Sequence, residues 1–383
     1  MRYLTAGESH GKGLTAILDG FPSLVPIDKA AVDAELRRRQ LGYGRGGRQK
    51  IEKDGACITA GIFGGVSLGS PISFFIENRD YASWKEYTDP ETGDYTKKAL
   101  TAVRPGHADL AGLIKYGFSD ARPILERASA RETAARVGIG AFCKQLLGHL
   151  GITVASHVVK IGGVAARVQA LPEQINAVAD ANPVRCLDQT ASEKMCAAID
   201  EAKQKGDTLG GEAEILAFGV PVGLGSHTQH DRKLDALLCA ELMGIPSVKC
   251  VQVGAGARVA DLAGSEVHDE LFKSGKKIAR NTNRAGGIEG GISNGEPIVL
   301  RVAFKPIPTL MQGLSTVDMQ SGKAARAAAE RSDTCAVPAA AVVAESAVAF
   351  VLANELLKVS GGDSLPQIRE AVEALRKRGN VLP

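Results

Sequence analysis

Val337-Pro338-Ala339-Ala340-Ala341-Val342-Val343-Ala344-Glu345-Ser346-Ala347-Val348-Ala349-Phe350-Val351-Leu352-Ala353 is an almost unbroken apolar run. Its apolar residues fall on every side of a 3.6-residue turn, which leaves no polar face for solvent. A helix of that kind lies inside a core or crosses a membrane. This run is interrupted by Glu345 and falls short of the ~18–20 uncharged residues that a span needs. It predicts a helix buried on all sides. An amphipathic helix follows near 364–377. Around the buried helix, strands and helices mix without strict βαβ alternation, so the fold class is α+β rather than doubly wound.

Working outward, Lys305-Pro306-Ile307-Pro308-Thr309 reads as a rigid extended loop. Residues 288–300 read as a hairpin around Asn294-Gly295. Helix is expected over 235–243, and strands over 212–218 and 152–161. Ser129-Ala130-Arg131-Glu132 has a capping-box pattern at the head of a helix that continues to Leu150. Asp28 caps a helix that passes through Arg37-Arg38-Arg39 and stops at Gly42. Residues 51–63 and 72–76 read as strands. Residues 80–98 read as a polar surface excursion, and 166–205 as a polar, helical, peripheral insertion.

Composition narrows the function. Lys and Arg number 46 against 43 Asp and Glu, a formal net charge of +3. That is too near neutral for a dedicated nucleic-acid binder unless the positive charge is gathered in one place. Glycine, 44 of 383 residues, exceeds the usual ~7% and points to turns and close backbone approach. The seven cysteines are scattered and form no CxxC, so a reducing compartment is expected and a structural zinc site is not. The N-terminus has no apolar stretch of signal-peptide type. With no membrane span expected, the chain reads as cytoplasmic.

The positive charge is gathered. Arg37, Arg38, Arg39, Arg45 and Arg48 lie within twelve residues, threaded through glycines. Guanidinium groups grip phosphate and carboxylate bidentately, and glycine lets backbone approach an anion. Five unpaired charges side by side repel, so an anionic partner is expected; a solvated helix end is the plainer reading. Gly42 to Gly47 matches GxGxxG, but a helix leads into it and a strand follows, the reverse of a dinucleotide fold. An NADP-dependent oxidoreductase would need a dinucleotide site, and none is found.

Three further clusters carry chemistry. In Gly7-Glu8-Ser9-His10-Gly11, His10 sits in a turn and fits either an acid–base group or a surface histidine. In Arg104-Pro105-Gly106-His107-Ala108-Asp109, His107 stands at a helix start, where the dipole favours anions. Arg127 and Arg131 put two like charges at another helix start, which argues for a bound anion. Asp333 adjoins the buried helix and fits an ordinary cap equally well.

Taken together, and over nearly the whole chain, these stretches resemble the chorismate synthase family. The matching segments include residues 2–11, 37–48, 104–109, 127–136, 286–291, 305–309 and Arg331-Ser332-Asp333. The resemblance implies one domain over residues 1–383, a β-α-β sandwich with helices packed between antiparallel sheets, and a homotetramer. It implies elimination of phosphate from 5-enolpyruvylshikimate 3-phosphate, dependent on reduced FMN. NADPH is a source of electrons, through this chain or through a separate flavin reductase; FAD and NADP are the associated nucleotides. By resemblance, His10, His107 and Asp333 are catalytic. Arg127, Ala128, Ser129, Pro246, Ser247, Gly290, Lys305, Pro306, Ile307, Pro308, Thr309 and Arg331 contact the flavin. Arg39, Arg45, Arg48 and Arg131 hold substrate anions or NADP. The family often has Asn-Ala at Pro246-Ser247 and Ser at Ala128. The alternative is a polyanion- or RNA-binding protein that uses the Arg-Gly loop, against which the 4% aromatic content argues.

Overall fold

A computed structural model describes residues 1–47, 51–275, 277–327 and 333–378. Two antiparallel sheets form its outer layers. The first has the order β1-β2-β7-β4, from β1 (Arg2–Ala6), β2 (Gly13–Asp19), β7 (Ile72–Glu77) and β4 (Cys57–Ala60). The second has the order β11-β16-β10-β8-β9, from β11 (Val248–Val253), β16 (Ile298–Phe304), β10 (Gly211–Phe218), β8 (Thr153–Ile161) and β9 (Val164–Ala165). Smaller sheets join β3 (Ser23–Pro26), β6 (Val66–Leu68) and β5 (Ile62–Phe63), and pair β12 (Leu271–Ser274) with β13 (Lys277–Arg280). Two more pairs are β14 (Ile288–Glu289) with β15 (Ile292–Ser293), and β17 (Ser315–Val317) with β18 (Ala324–Arg326).

The helices are α1 (Lys29–Gln40), α2 (Tyr81–Thr88), α3 (Asp109–Tyr116), α4 (Arg122–Ala128), α5 (Thr133–His149) and α6 (Ile175–Asp180). Then come α7 (Gln189–Gln204), α8 (Leu234–Met243), the short α9 (Gly264–Val267), α10 (Val337–Ser360) and α11 (Leu365–Arg378). Between the sheets, α5 packs on β2, and α10 packs on α5 from one side and on β8 and β10 from the other. This is the sandwich with helices inside that the sequence leads one to expect.

The layering follows from side-chain patterning. Alternate residues of β2 and β7, namely Leu14, Ala16, Leu18, Ile72, Phe74 and Ile76, turn inward and are buried. Gly138 of α5 admits the Phe74 ring, which would lie 2.5 Å from an added Cβ. The two inner helices touch at Gly140, where a Cβ would fall 2.2 Å from the Ser346 Cβ. Small residues at that contact let the axes approach closely. One described helix, α10, is long and apolar enough to cross a membrane, and 83% of its apolar window is buried inside the protein.

The one charge in that helix's apolar run, Glu345, is fully buried. It accepts from Arg38 at 3.0 Å, Lys144 at 2.5 Å, Arg185 at 3.1 Å and Ser156 Oγ at 2.6 Å. Burial alone would raise its pKa; Lys144, Arg38 and Arg185 together outweigh that and hold it far below the carboxylate range. The stretch 166–205 contributes to the same interior. Val184, Met195 and Ile199 are fully buried, and Arg38 also donates to Asp180 at 2.6 Å.

Several local readings change. Residues 51–56 form no strand, because their backbone bonds side chains instead of a ladder: Gln40 donates to the Glu52 carbonyl, and Asp54 and Ala56 donate to Gln40 and Asp33. The hairpin turns at Gly290-Gly291 (φ 60° and 84°), not at Asn294-Gly295, where Asn294 Oδ1 accepts from the Glu296 N–H. Ser129 caps a short 3₁₀ turn, Ala130–Glu132, ahead of α5. Glu132 does not complete a capping box; it bonds Thr5 and Arg136. Residues 80–98 are more than an excursion, since α2 carries Trp84 onto His10.

Candidate active site

The turn after β1 holds His10. Asn78, just past β7, anchors that turn by donating to the carbonyls of Glu8, Ser9 and Gly11. The Asn78 Oδ1 in turn accepts from Arg131 Nε at 2.7 Å. Arg131 Nη1 reaches Asp54 at 2.6 Å, and the other Asp54 oxygen accepts from Arg39 Nη2 at 2.6 Å. One buried network therefore links α1, the segment before β4, the end of β7 and the turn ahead of α5 to the backbone on either side of His10.

Charge sets the character of this network. Burial would raise Asp54, but Arg39 and Arg131 hold it below its ordinary 3.8. Burial lowers the Arg39 pKa, and the nearby Arg131 and Arg45 add to that against Asp54. Arg45 pairs with Asp333 at 2.7 Å, and Asp333 also accepts from the Gly46 N–H at 2.6 Å. The expectation of five unpaired charges is thus corrected. Arg38 is neutralised by Glu35, Asp180 and Glu345, Arg39 by Asp54, and Arg45 by Asp333. Arg131 likewise meets Asp54 rather than facing solvent as an uncompensated charge. Partners 15 and 77 residues away in the chain supply what local sequence lacks. Even so, the Nε atoms of Arg39 and Arg45 are buried without a hydrogen-bond partner among the described residues. Arg48 and Arg331 lie outside the described residues.

His10 is gripped closely. Its Nδ1 is 2.8 Å from Glu126 Oε1, and its backbone N–H donates to Glu126 Oε2 at 2.8 Å. Its ring stacks on Trp84, with centroids 4.0 Å apart and planes 22° apart. Thr88 donates to its carbonyl at 2.8 Å. Ser9 Oγ and Ser129 Oγ are 3.0 Å apart beside it.

A cavity of about 340 Å³ opens next to this turn. Arg127, Ala128, Ser129 and Pro246 line it together with Tyr3 and Thr5. Arg127, about half exposed, donates to the carbonyls of Thr5 and Gly7. Ser247 takes a left-handed backbone (φ 72°), which costs a non-glycine residue ~1–3 kcal/mol and is a feature of functional sites. Its carbonyl accepts from the Lys305 N–H at 2.9 Å. The Lys305 ammonium donates to the Gly106 carbonyl. Burial, then the second cation Lys249, lowers its pKa. Gly290 lies in the β14–β15 turn, not in this cavity's lining.

His107 belongs to a second cluster. Its Nδ1 is 2.6 Å from Asp109 Oδ1, and Arg104 bridges Asp109 at 2.8 Å and Thr309 Oγ1 at 3.1 Å. Burial would raise Asp109, but His107 and Arg104 hold it well below the usual range. Pro306, Ile307 and Pro308 complete the loop between Lys305 and Thr309, and the Ile307 carbonyl accepts from Thr208 at 2.7 Å. No group of three metal-binding side chains occurs among the described residues.

Sequence reading missed Glu126, Trp84, Asn78 and Asp54. A usable signal existed for Trp84, the sole tryptophan of the chain. Glu126 directly precedes Arg127, outside the stretch 127–136 that carries the resemblance.

The chorismate synthase family model matches residues 1–357. A chorismate synthase from Moorella thermoacetica is 54% identical over 378 residues, covering 98% of each chain. One from Caldicellulosiruptor saccharolyticus is 53% identical over 368 residues, covering 95% of this chain and 97% of the relative. A crystal structure of chorismate synthase superposes with a TM-score of 0.79 at 40% identity, covering 99% of this chain and 98% of that one. Nothing here favours the RNA-binding alternative, whose basic loop is largely neutralised within the fold. The chain belongs to the chorismate synthase family and is an enzyme of the lyase class.

Proposed function

We propose that this chain converts 5-enolpyruvylshikimate 3-phosphate to chorismate by 1,4-anti elimination of phosphate, with reduced FMN bound beside the substrate. The observation that carries the reading is the meeting of Arg39 and Arg131 on Asp54, in a network that ends on the backbone flanking His10, with the Arg45–Asp333 pair close enough to act on Arg39. The substrate presents one phosphate and two carboxylates. Buried guanidinium groups already held by Asp54 and Asp333 are pre-organised to meet them, and the Nε atoms of Arg39 and Arg45, which have no partner among the described residues, are donors open to an acceptor. Arg48 is proposed as a further contact for these anions.

The residues around the cavity fit a flavin nucleotide. Arg127 and Lys305 are cations suited to its phosphate, and Ala128, Ser129, Pro246 and Ser247 supply backbone and small side chains to its flank. Gly290, Pro306, Ile307, Pro308, Thr309 and Arg331 are proposed as further contacts. The reduced flavin supplies electron density to a reaction without net redox change. His10 delivers a proton from Nε2 to the oxygen of the departing phosphate. His107, oriented by Asp109, would meet the charge near N1 of a bound reduced flavin. Asp333 would serve the proton that leaves the substrate ring, on the N5 side. Each proton transfer is worth ~10²–10⁴-fold in rate.

Electrons come from NADPH, through this chain or a separate flavin reductase. The protein works in the cytoplasm as a homotetramer. The test is turnover by His10→Ala and Asp333→Ala with chemically reduced FMN. Both are expected to fold and to lose at least ~10²-fold in kcat. Activity equal to the wild type in both refutes the assigned roles.

A further inference from the structure

We propose that Glu126 and Trp84 position His10 for proton delivery: the carboxylate holds Nδ1–H, the indole holds the ring face, and the exchanged proton thereby resides on Nε2. This rests on the reading of His10 as the acid of the elimination.

Three anchors from two helices meet one residue in an irregular turn. Glu126, on α4 and almost fully buried, brings both oxygens to the His10 Nδ1, at 2.8 and 3.1 Å, and the second of them also accepts from the His10 backbone N–H at 2.8 Å. A single carboxylate therefore fixes both the main chain and the side-chain rotation. Trp84, on α2, covers the ring at 4.0 Å, and Thr88, one turn further on, ties the same helix to the His10 carbonyl. Burial would raise the Glu126 carboxyl, but the bonds to His10 and the charge of Arg122 hold it below its ordinary 4.5. It is a carboxylate at working pH and accepts the Nδ1 proton.

Other charged groups lie around the His10–Trp84 pair. Arg122 on α4 is 3.7 Å from Glu126 and lies 5.4 Å from the Trp84 ring centroid. Lys98 is 5.9 Å from the same ring. Lys12 and Asp89 pair at 3.5 Å beyond the end of α2, and Glu8 belongs to the turn itself. Among the described residues, Glu126 is the carboxylate bonded to the ring. Glutamine at this position would keep one acceptor and lose the charge that meets the ring.

The chain contains one tryptophan, so its emission reports on the ring beside it. Imidazolium against indole quenches that emission. In the purified full chain without substrate, the wild type is expected to show a pH-dependent emission step that His10→Asn removes. Glu126→Gln, which loses the charge bonded to the ring, moves the step to lower pH. The alkaline limb of its kcat profile moves the same way, with KM changed less than about twofold. A wild type without a His10-dependent step overturns the proposal, and that comparison needs no Glu126 variant. A folded Glu126→Gln protein whose step and limb stay in place overturns it as well. Because emission is read without turnover, loss of the step with turnover intact overturns the positioning alone. Absence of turnover with the step intact overturns the reaction instead.

Discussion

Replacing Asp54 by Asn tests the substrate-binding network where it is most concentrated. Each Asp54 oxygen accepts one guanidinium N–H at 2.6 Å, from Arg39 and from Arg131. The carboxylate is fully buried, and both arginine side chains are no more than 6% exposed. Asparagine keeps one oxygen for one arginine and turns an NH₂ toward the other. It also leaves two buried positive charges with no directly bonded counter-charge; the next acid, Glu52, is 3.8 Å from Arg131. Breaking a buried pair from one side costs about 3–5 kcal/mol, and the residual attraction of Glu52 places Asp54→Asn at the lower end. The sign of the pH dependence follows from the depressed carboxyl. Its stabilisation is fully present above the ordinary value of 3.8 and is lost as pH falls through the lower folded-state value. The gap between wild type and variant should be widest at neutral pH and narrow below about pH 4. Urea unfolding followed by circular dichroism measures it. Added phosphate should restore more stability to the variant than to the wild type, since an anion that binds the native state stabilises it by mass action. A variant within ~1 kcal/mol of wild type at pH 7 and indifferent to phosphate refutes the reasoning.

Two other substitutions separate scaffold from site. Glu345→Gln leaves Arg38, Lys144 and Arg185 around a neutral amide, so it should cost about 3–5 kcal/mol near pH 7. That deficit should shrink below the ordinary carboxyl value of 4.5, where the wild-type contribution is itself being lost; guanidinium titrations at pH 7 and pH 4 check both. Arg127→Ala should weaken flavin affinity by roughly tenfold or more, the ~1.5–3 kcal/mol of a charged hydrogen bond, with the melting temperature nearly unchanged because the side chain is half exposed. Flavin fluorescence titration reads the first and thermal melting the second.

Much of the architecture is legible in local sequence, for definite reasons. The apolar run at 337–353 has no polar face, and it becomes the helix at the centre of the sandwich. Asp28 caps α1 by accepting from the Ala30 N–H. These signals lie within one element. What escapes local reading depends on distant partners. The arginines at 38, 39 and 45 look unpaired because Glu345, Asp54 and Asp333 lie elsewhere in the chain. Residues 51–56 run straight into the strand that begins at Cys57, yet side chains of α1 take their backbone bonds. The Gly290-Gly291 pair wins the hairpin over Asn294-Gly295 because both glycines adopt positive φ there. Trp84 hides in a polar stretch, and only the fold brings it to His10.

The central claim is that buried arginines and His10 act on one phosphate next to a reduced flavin. The most direct measurement is phosphate release from 5-enolpyruvylshikimate 3-phosphate by the full chain without oxygen, with reduced FMN, with oxidised FMN and with none. Release with reduced FMN alone, one phosphate for each chorismate formed, is the predicted result. Equal release in all three, or none in any while the protein is folded, contradicts it.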